Sequence, residues 1–216
     1  MKIDILTLFP ELIKAVIKES IIGRAQKQNK VEINVINYRE FSNNKHKKVD
    51  DYPYGGGRGM LIGIQPIYDC LQSIKKTSST KVILTCPQGE IFTQDKALRL
   101  SNEEHLVIIC GHYEGIDERV RNYLANEEIS VGDYVLTGGE LASLIIVDAV
   151  TRLIPDVLNE SSRENDSFST GLLEYPQYTR PEDFKGMKVP DVLISGNHQL
   201  IADFRLKESL RNTYLK

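Results

Sequence analysis

Residues 105–115 read HLVIICGHYEG, a short apolar run that ends in a glycine-bearing turn. Apolar runs of this length, bounded by turn residues, are typical of buried β-strands. The pattern recurs where residues 81–84 lead into CPQG, and where residues 129–135 lead through VGDYVL to glycines 138–139. In an open α/β sheet, ligands bind outside the carboxyl ends of the strands, so these three turns could converge on one site.

Helical patterns alternate with these strands. Residues 139–154 are apolar on nearly every face, which predicts a helix buried in the core or against a partner. The alternation predicts an α/β domain with a mostly parallel sheet. Other candidates are strands at 3–8 and 31–36, and helices beginning at Pro10, running from Pro66 to about residue 74, and near residues 94–100.

The sequence changes character after Pro155. Residues 159–171 are polar and show no periodicity, which predicts a flexible linker. Residues 198–214 place apolar side chains at helical spacing. We therefore expect a main domain over residues 1–158, a linker, and a small carboxy-terminal helical module over residues 172–216.

Composition narrows the class of protein. The 216 residues carry a net charge of −3, which argues against a nonspecific, strongly basic nucleic-acid binder. Any nucleic acid would be bound through local basic patches and shape. The three cysteines have no CxxC spacing, and no apolar stretch approaches the roughly 18 residues of a membrane helix. These features predict a cytoplasmic protein with reduced thiols.

Common catalytic signatures are missing from the sequence. There is no GxGxxG, Walker A or GxSxG motif, and the four histidines lack metal-ligand spacing, so no bound structural metal is expected. Taken singly, each glycine-bearing turn is more often a tight β-α turn than a binding loop. The turns alone therefore leave both interpretations open.

Longer motifs add evidence on the class of protein. In chain order they are LTLFP, VDDYPYGGGRGM, CGHYEGIDERV, VGDYVLTGGE, DAVTRLIP, DSFSTGLLEYPQYTRP and LISGNHQLIADFRLKESL. Through them the chain resembles the bacterial tRNA (guanine-N1)-methyltransferases of the SPOUT superfamily, from near its start almost to its last residue. It departs from the usual pattern at His112, where arginine is common, at Arg58, and in a shorter carboxy-terminal tail.

The resemblance implies a SPOUT-type, mostly parallel α/β sheet with a deep carboxy-side trefoil knot. It also implies a homodimer whose active sites are shared between chains, with S-adenosylmethionine as methyl donor and Mg²⁺ left open as an aid to catalysis. The implied reaction methylates N1 of the guanosine at position 37 of tRNA, next to the anticodon, and so maintains the reading frame. Neither a membrane nor DNA is an expected partner.

The resemblance also assigns residues. Arg152 and Asp166 would be catalytic, and Asp166 is preferred over Glu164 only on this basis. The expected tRNA-binding residues are His46, Asp50, Gly55, Gly59, Lys185 and Arg205. The expected cofactor-binding residues are Leu84, Thr85, Pro87, Gly89, Gly111, Tyr113, Glu114, Gly115, Val131, Gly132, Asp133, Tyr134, Val135, Leu136, Gly138 and Gly139.

Simpler interpretations compete with these assignments. Arg152 could form an i,i+4 ion pair with Asp148, and Asp166 could be a solvated carboxylate. The basic residues 45–48 could be a solvated loop or could contact phosphates. For the whole chain, the rival functions are a ribose 2′-O-methyltransferase of the same superfamily and a non-catalytic RNA-binding protein with a degenerate pocket.

Overall fold

A five-stranded parallel sheet organises the first 158 residues of the chain. The computed structural model describes residues 1–159 and 166–216. The strands of this part are β1 (Lys2–Thr7), β2 (Glu32–Asn37), β3 (Asp50–Asp51), β4 (Leu61–Ile62), β5 (Thr80–Ile91), β6 (His105–Cys110) and β7 (Glu127–Ser130). The sheet has the order β2-β1-β6-β5-β7, and every neighbouring pair is parallel. The predicted mostly parallel α/β fold is confirmed.

Helices cover both faces of this sheet. They are α1 (Pro10–Ile17), α2 (Ser20–Lys27), α3 (Ile64–Ser73), α4 (Gln94–Ser101), α5 (Glu118–Tyr123) and α6 (Glu140–Thr151). Successive side chains of β6 point to opposite faces, as strand geometry requires. Leu106 and Ile108 therefore pack in one hydrophobic cluster with α1, α2 and α6, whereas Val107 and Ile109 pack in a second cluster with α3 and α5.

Three element boundaries differ from the sequence prediction. β5 continues to Ile91 because a bulge between Thr85 and Glu90 interrupts its pairing with β7 without ending it. β7 ends at Ser130, and residues 131–135, which were predicted as strand, form a loop. Within this loop Gly132 has a φ of 151°, which few other residues adopt. The predicted helix 139–154 is α6, which spans Glu140–Thr151.

Residues 159–216 form a second compact unit. It contains a hairpin of β8 (Asp183–Phe184) and β9 (Met187–Lys188), the short helix α7 (Asp191–Ile194) and the long helix α8 (His198–Leu215), which confirms the predicted carboxy-terminal helix. Thr213 of α8 accepts a hydrogen bond from the Leu173 amide at 2.8 Å. Of the predicted linker, residues 160–165, which include Glu164, lie outside the described residues.

No helix within residues 1–159 and 166–216 has both the length and the apolar character that a membrane span requires.

Candidate functional site

A cavity of about 560 Å³ lies at the bulge of β5 and at the carboxyl ends of β6 and β7. This volume is within the range of small-molecule sites, and the location is where open α/β sheets bind ligands. The three glycine-bearing turns form much of its wall. Of the residues predicted to bind the cofactor, those that line the cavity are Leu84, Thr85, Pro87, Gly111, Tyr113, Glu114, Gly115, Val131, Gly132, Tyr134, Val135, Leu136, Gly138 and Gly139.

Two predicted cofactor residues, Gly89 and Asp133, are not part of the cavity wall. A Cβ atom at Gly89 would stand 2.5 Å from the backbone of Glu128 and Ile129, so this glycine permits close packing of the β5 bulge on β7. Asp133 is exposed at the surface of the 131–135 loop. The resemblance assigned both positions, which belong to the glycine-bearing turns, and only the fold separates turn residues that face the cavity from those that do not.

The turns are held together by backbone contacts. The Gly139 amide donates to the Gly111 carbonyl oxygen at 2.8 Å, and a Cβ at Gly139 would lie only 2.8 Å from the Cα of Cys110. Tyr113 has a positive φ of 59°, which is uncommon for a residue with a side chain and occurs often at binding sites. These contacts fix the spacing of the β6 and β7 turns at the cavity.

The glycine-rich loop before β4 adjoins the same cavity. The Glu114 amide donates to the Met60 carbonyl oxygen at 3.2 Å, and the Ile62 amide donates to Gly115 at 3.0 Å. Gly59 packs so closely on the Glu114 side chain that a Cβ would overlap it. Two predicted tRNA-binding residues, Gly55 and Gly59, therefore lie on a loop that reaches the wall of the cavity.

Arg121 of α5 supplies a cation to the cavity wall that the sequence analysis did not identify. Its Nε lies 3.1 Å from Oε2 of Glu128, and its guanidinium also contacts the side chain of Gln88. The thiol of Cys86 donates to the same Glu128 oxygen at 3.2 Å. Burial, followed by this hydrogen bond, raises the pKa of Cys86, so the thiol stays protonated at neutral pH and is a poor nucleophile.

The two predicted catalytic residues lie in different units. Arg152 caps the carboxyl end of α6, where its amide donates to the Asp148 carbonyl oxygen at 3.2 Å and its side chain is half-buried. Asp166 is half-buried in the second unit, and its carbonyl oxygen accepts from the Ser169 amide at 3.0 Å. Arg152 therefore belongs to the unit of residues 1–158, and Asp166 belongs to the unit of residues 159–216.

The remaining predicted tRNA-binding residues are mostly at the surface. His46 is exposed in the loop after a 3₁₀ turn, and Asp50 is half-buried in β3. In the second unit, the Lys185 ammonium lies 5.4 Å from the centre of the Phe184 ring, and the Arg205 guanidinium lies 4.8 Å from that of Tyr175. The Phe184 ring is exposed and the Tyr175 ring is half-buried. Aromatic rings and Arg guanidinium planes are the groups on which unpaired RNA bases stack.

Residues 1–159 and 166–216 contain no group of three or more His, Cys, Asp or Glu side chains arranged to hold a metal ion. The cavity is lined by backbone groups, glycines and apolar side chains such as Leu84 and Leu136, together with charged side chains that include Glu114, Asp117 and Arg121.

A parallel sheet whose glycine-bearing turns enclose a cavity at the carboxyl ends of its strands defines the class: an α/β protein with a small-ligand site. The chain matches the family described as tRNA (Guanine-1)-methyltransferase TrmD over residues 1–216. It is similar to the tRNA (guanine-N(1)-)-methyltransferase of Geobacillus kaustophilus, with 62% identity covering 100% of this chain and 89% of the relative. The enzyme of the same name from Halalkalibacterium halodurans is 61% identical, covering 99% and 88%. The chain belongs to the tRNA (Guanine-1)-methyltransferase family, as its motifs predicted.

Proposed function

We propose that this protein transfers a methyl group from S-adenosylmethionine to N1 of guanosine 37 in tRNA. The family match over the whole chain carries this proposal, and the cavity at the sheet edge supports it. The test is to incubate the purified protein with labelled S-adenosylmethionine and unmodified tRNA transcripts, and then to locate the methyl group by mass spectrometry. Running the reaction with and without EDTA tests Mg²⁺ as a second cofactor.

The cavity has the size and lining that this donor needs. Apolar side chains such as Leu84 and Leu136 can cover the faces of an adenine ring, while the glycine-bearing turns bring backbone N–H and C=O groups close to its edges. When bound, S-adenosylmethionine supplies an electrophilic methyl group on a sulfonium. The role of the turns is to hold that group in a fixed orientation and to exclude water.

Methylation at N1 of the guanine requires a general base. N1 carries a proton at neutral pH, and its lone pair is delocalised in the ring, so the proton must leave before N1 can attack. We propose that the Asp166 carboxylate accepts this proton. The resulting negative charge spreads onto O6, where the Arg152 guanidinium would stabilise it, more strongly once water is excluded. Because both substrates must be in place first, we expect methylation to depend on correct docking of the tRNA.

An apolar surface on two neighbouring helices supports the homodimer. Phe9, beside α1, and Leu12 and Val16 within it are 43–44% exposed, and Leu141 and Ile145 of α6 are 45–50% exposed. Since α1 packs against α6, these side chains lie on adjacent parts of the surface. Surfaces of this kind are typical of obligate interfaces. We therefore propose a homodimer with each active site shared between the chains.

The dimer is expected to persist at micromolar concentration in light scattering. Ile145→Glu should shift the protein to monomers, because it would place a charge in the apolar surface. Ile91→Glu is a matched control, since Ile91 is 51% exposed and lies outside this surface. A wild-type protein that is monomeric and fully active would contradict the proposal.

Binding to tRNA should depend only moderately on salt, because few phosphates can be neutralised at once. Several basic side chains are already engaged: Lys47 Nζ donates to the Glu40 carbonyl oxygen at 2.7 Å, and Lys48 lies 3.4 Å from Asp51. Affinity measured over a range of salt concentrations should give a shallow slope, and duplex DNA should compete poorly. A slope of about −10, as for a strongly basic repressor, would be inconsistent with this expectation.

The organisation that we propose assigns donor binding to residues 1–158 and tRNA binding to residues 172–216, joined by the linker 159–171. The division of the chain near residue 158 and the cations at Lys185 and Arg205 support it. We also propose that the donor-binding domain carries the family's trefoil knot and that the protein acts in the cytoplasm. A titration with S-adenosylmethionine separates this enzyme from a non-catalytic RNA-binding protein.

A further inference from the structure

Glu140 is a buried carboxylate next to the cavity. Only 4% of the residue is exposed, and its Oε1 accepts a hydrogen bond from the Thr7 hydroxyl at 2.7 Å. It lies in the first turn of α6, where the helix dipole favours a negative charge. Since a buried charge is costly unless it is paired, a cation is expected near its other oxygen.

His112 lies on that side of Glu140. Its Nδ1 atom is 3.9 Å from Oε2 of Glu140. This nitrogen atom is buried and has no hydrogen-bond partner within the described parts of the chain. The imidazole ring packs against Phe9 and Tyr113, with ring centres 4.7 Å and 5.1 Å away. The distance of 3.9 Å is longer than a hydrogen bond, so the pair requires the two side chains to move closer together.

The two side chains fill the space between two turns of the cavity wall. His112 belongs to the turn after β6 and pairs through its backbone with Gly138, just before α6. A Cβ at Gly138 would stand 2.5 Å from Nδ1 of His112 and would overlap Oε2 of Glu140. The glycine at this position therefore leaves room for the two side chains, whose contact would add to the backbone contact between the turns.

We propose that His112 and Glu140 form a hydrogen-bonded pair that, together with the backbone contact between Gly139 and Gly111, positions the 111–115 and 138–139 turns around the methyl donor. Both act as positioning residues, because they act on the donor through the turns. This proposal rests on the proposed function for the identity of the ligand. The Nδ1–H of His112 would donate to Oε2 of Glu140, while Thr7 holds Oε1 and ties the pair to the end of β1.

The test is a double-mutant cycle on the full-length protein, with binding of S-adenosylmethionine measured by calorimetry. His112→Phe keeps a ring beside Phe9 but removes Nδ1, and it should raise Kd about tenfold or more because Oε2 of the buried Glu140 loses its donor. Glu140→Gln should also raise Kd. The double variant should bind no more weakly than His112→Phe alone, because no unpaired charge remains. His112→Arg, which also offers N–H donors at this position, should stay within about threefold of wild type.

Matched controls are His198→Phe and Glu19→Gln, which make the same chemical changes at exposed positions. Thermal unfolding of every variant separates positioning from general stability. The proposed pair is refuted if His112→Phe binds the donor with wild-type affinity, or if the Kd effects of the two single variants multiply in the double variant. It is also refuted if the variants have a lowered Tm but an unchanged Kd for the donor. If His112→Phe does not fold, His112→Gln serves in the same cycle. Failure of the wild type to bind the donor would instead contradict the proposed function.

Discussion

The Asp166→Asn variant is expected to bind S-adenosylmethionine like the wild type and to lose about 10²-fold or more in turnover on tRNA. Asparagine has nearly the same shape as aspartate, but its amide cannot accept the N1 proton. Because the neutral guanine is a poor nucleophile at N1, the loss should appear in the chemical step. Single-turnover rates on tRNA carrying guanosine 37, together with donor calorimetry, measure the two effects separately.

Asp203→Asn is a suitable control, because Asp203 is an exposed aspartate in α8 of the same unit. It should leave both the donor affinity and the single-turnover rate close to wild type. If Asp166→Asn also keeps a near-wild-type rate, another group is the base, and the assignment made from the resemblance is wrong.

Arg152→Ala is expected to reduce turnover by a comparable factor, about 10²-fold. The guanidinium would stabilise charge that develops on O6 only as the N1 proton leaves, so its removal should slow the reaction more than it weakens substrate binding. Single-turnover rates at saturating donor and tRNA report this effect directly.

Two further variants test whether the effect of Arg152→Ala is specific to this position and to the guanidinium group. Arg24→Ala removes an exposed arginine near the end of α2 and should leave the rate unchanged. Arg152→Lys keeps the positive charge but lacks the planar guanidinium group with its several N–H donors, so partial activity is expected. Since Arg152 also caps α6, thermal unfolding must accompany the kinetics, and a loss of rate explained wholly by unfolding would argue against a catalytic role.

Much of the site could be predicted from local sequence. The turns at residues 86–89, 111–115 and 131–139 were visible because each follows an apolar run and carries glycine, and the rule for parallel sheets placed them at one edge. The predicted strand at 129–135 was too long, since the apolar side chains of Val131 and Val135 resemble strand residues. Gly132 breaks the strand between them, and Val135 faces the cavity instead.

The polar contacts of the site were not predictable in this way. Thr7 and Glu140 are 133 positions apart, and Arg121 reaches Glu128 from a different element. No spacing rule relates such residues, because they meet only when β1, α5 and α6 pack on the same sheet. His112 attracted notice only as a departure from a familiar motif, and its position beside a buried carboxylate came from the structure.

The sequence by itself determined the α/β class, the parallel sheet, the carboxy-terminal helix and the family, because these depend on hydrophobic periodicity and on motifs contiguous in the chain. Only the tertiary structure decided which glycines face the cavity and which, like Gly89, pack against a neighbouring strand outside its wall. It also decided that one face of α6 is exposed at Leu141 and Ile145, although the helix is apolar on nearly every side. The physical reason is that periodicity shows that a surface is apolar, whereas what covers that surface depends on the long-range packing of the sheet and its helices.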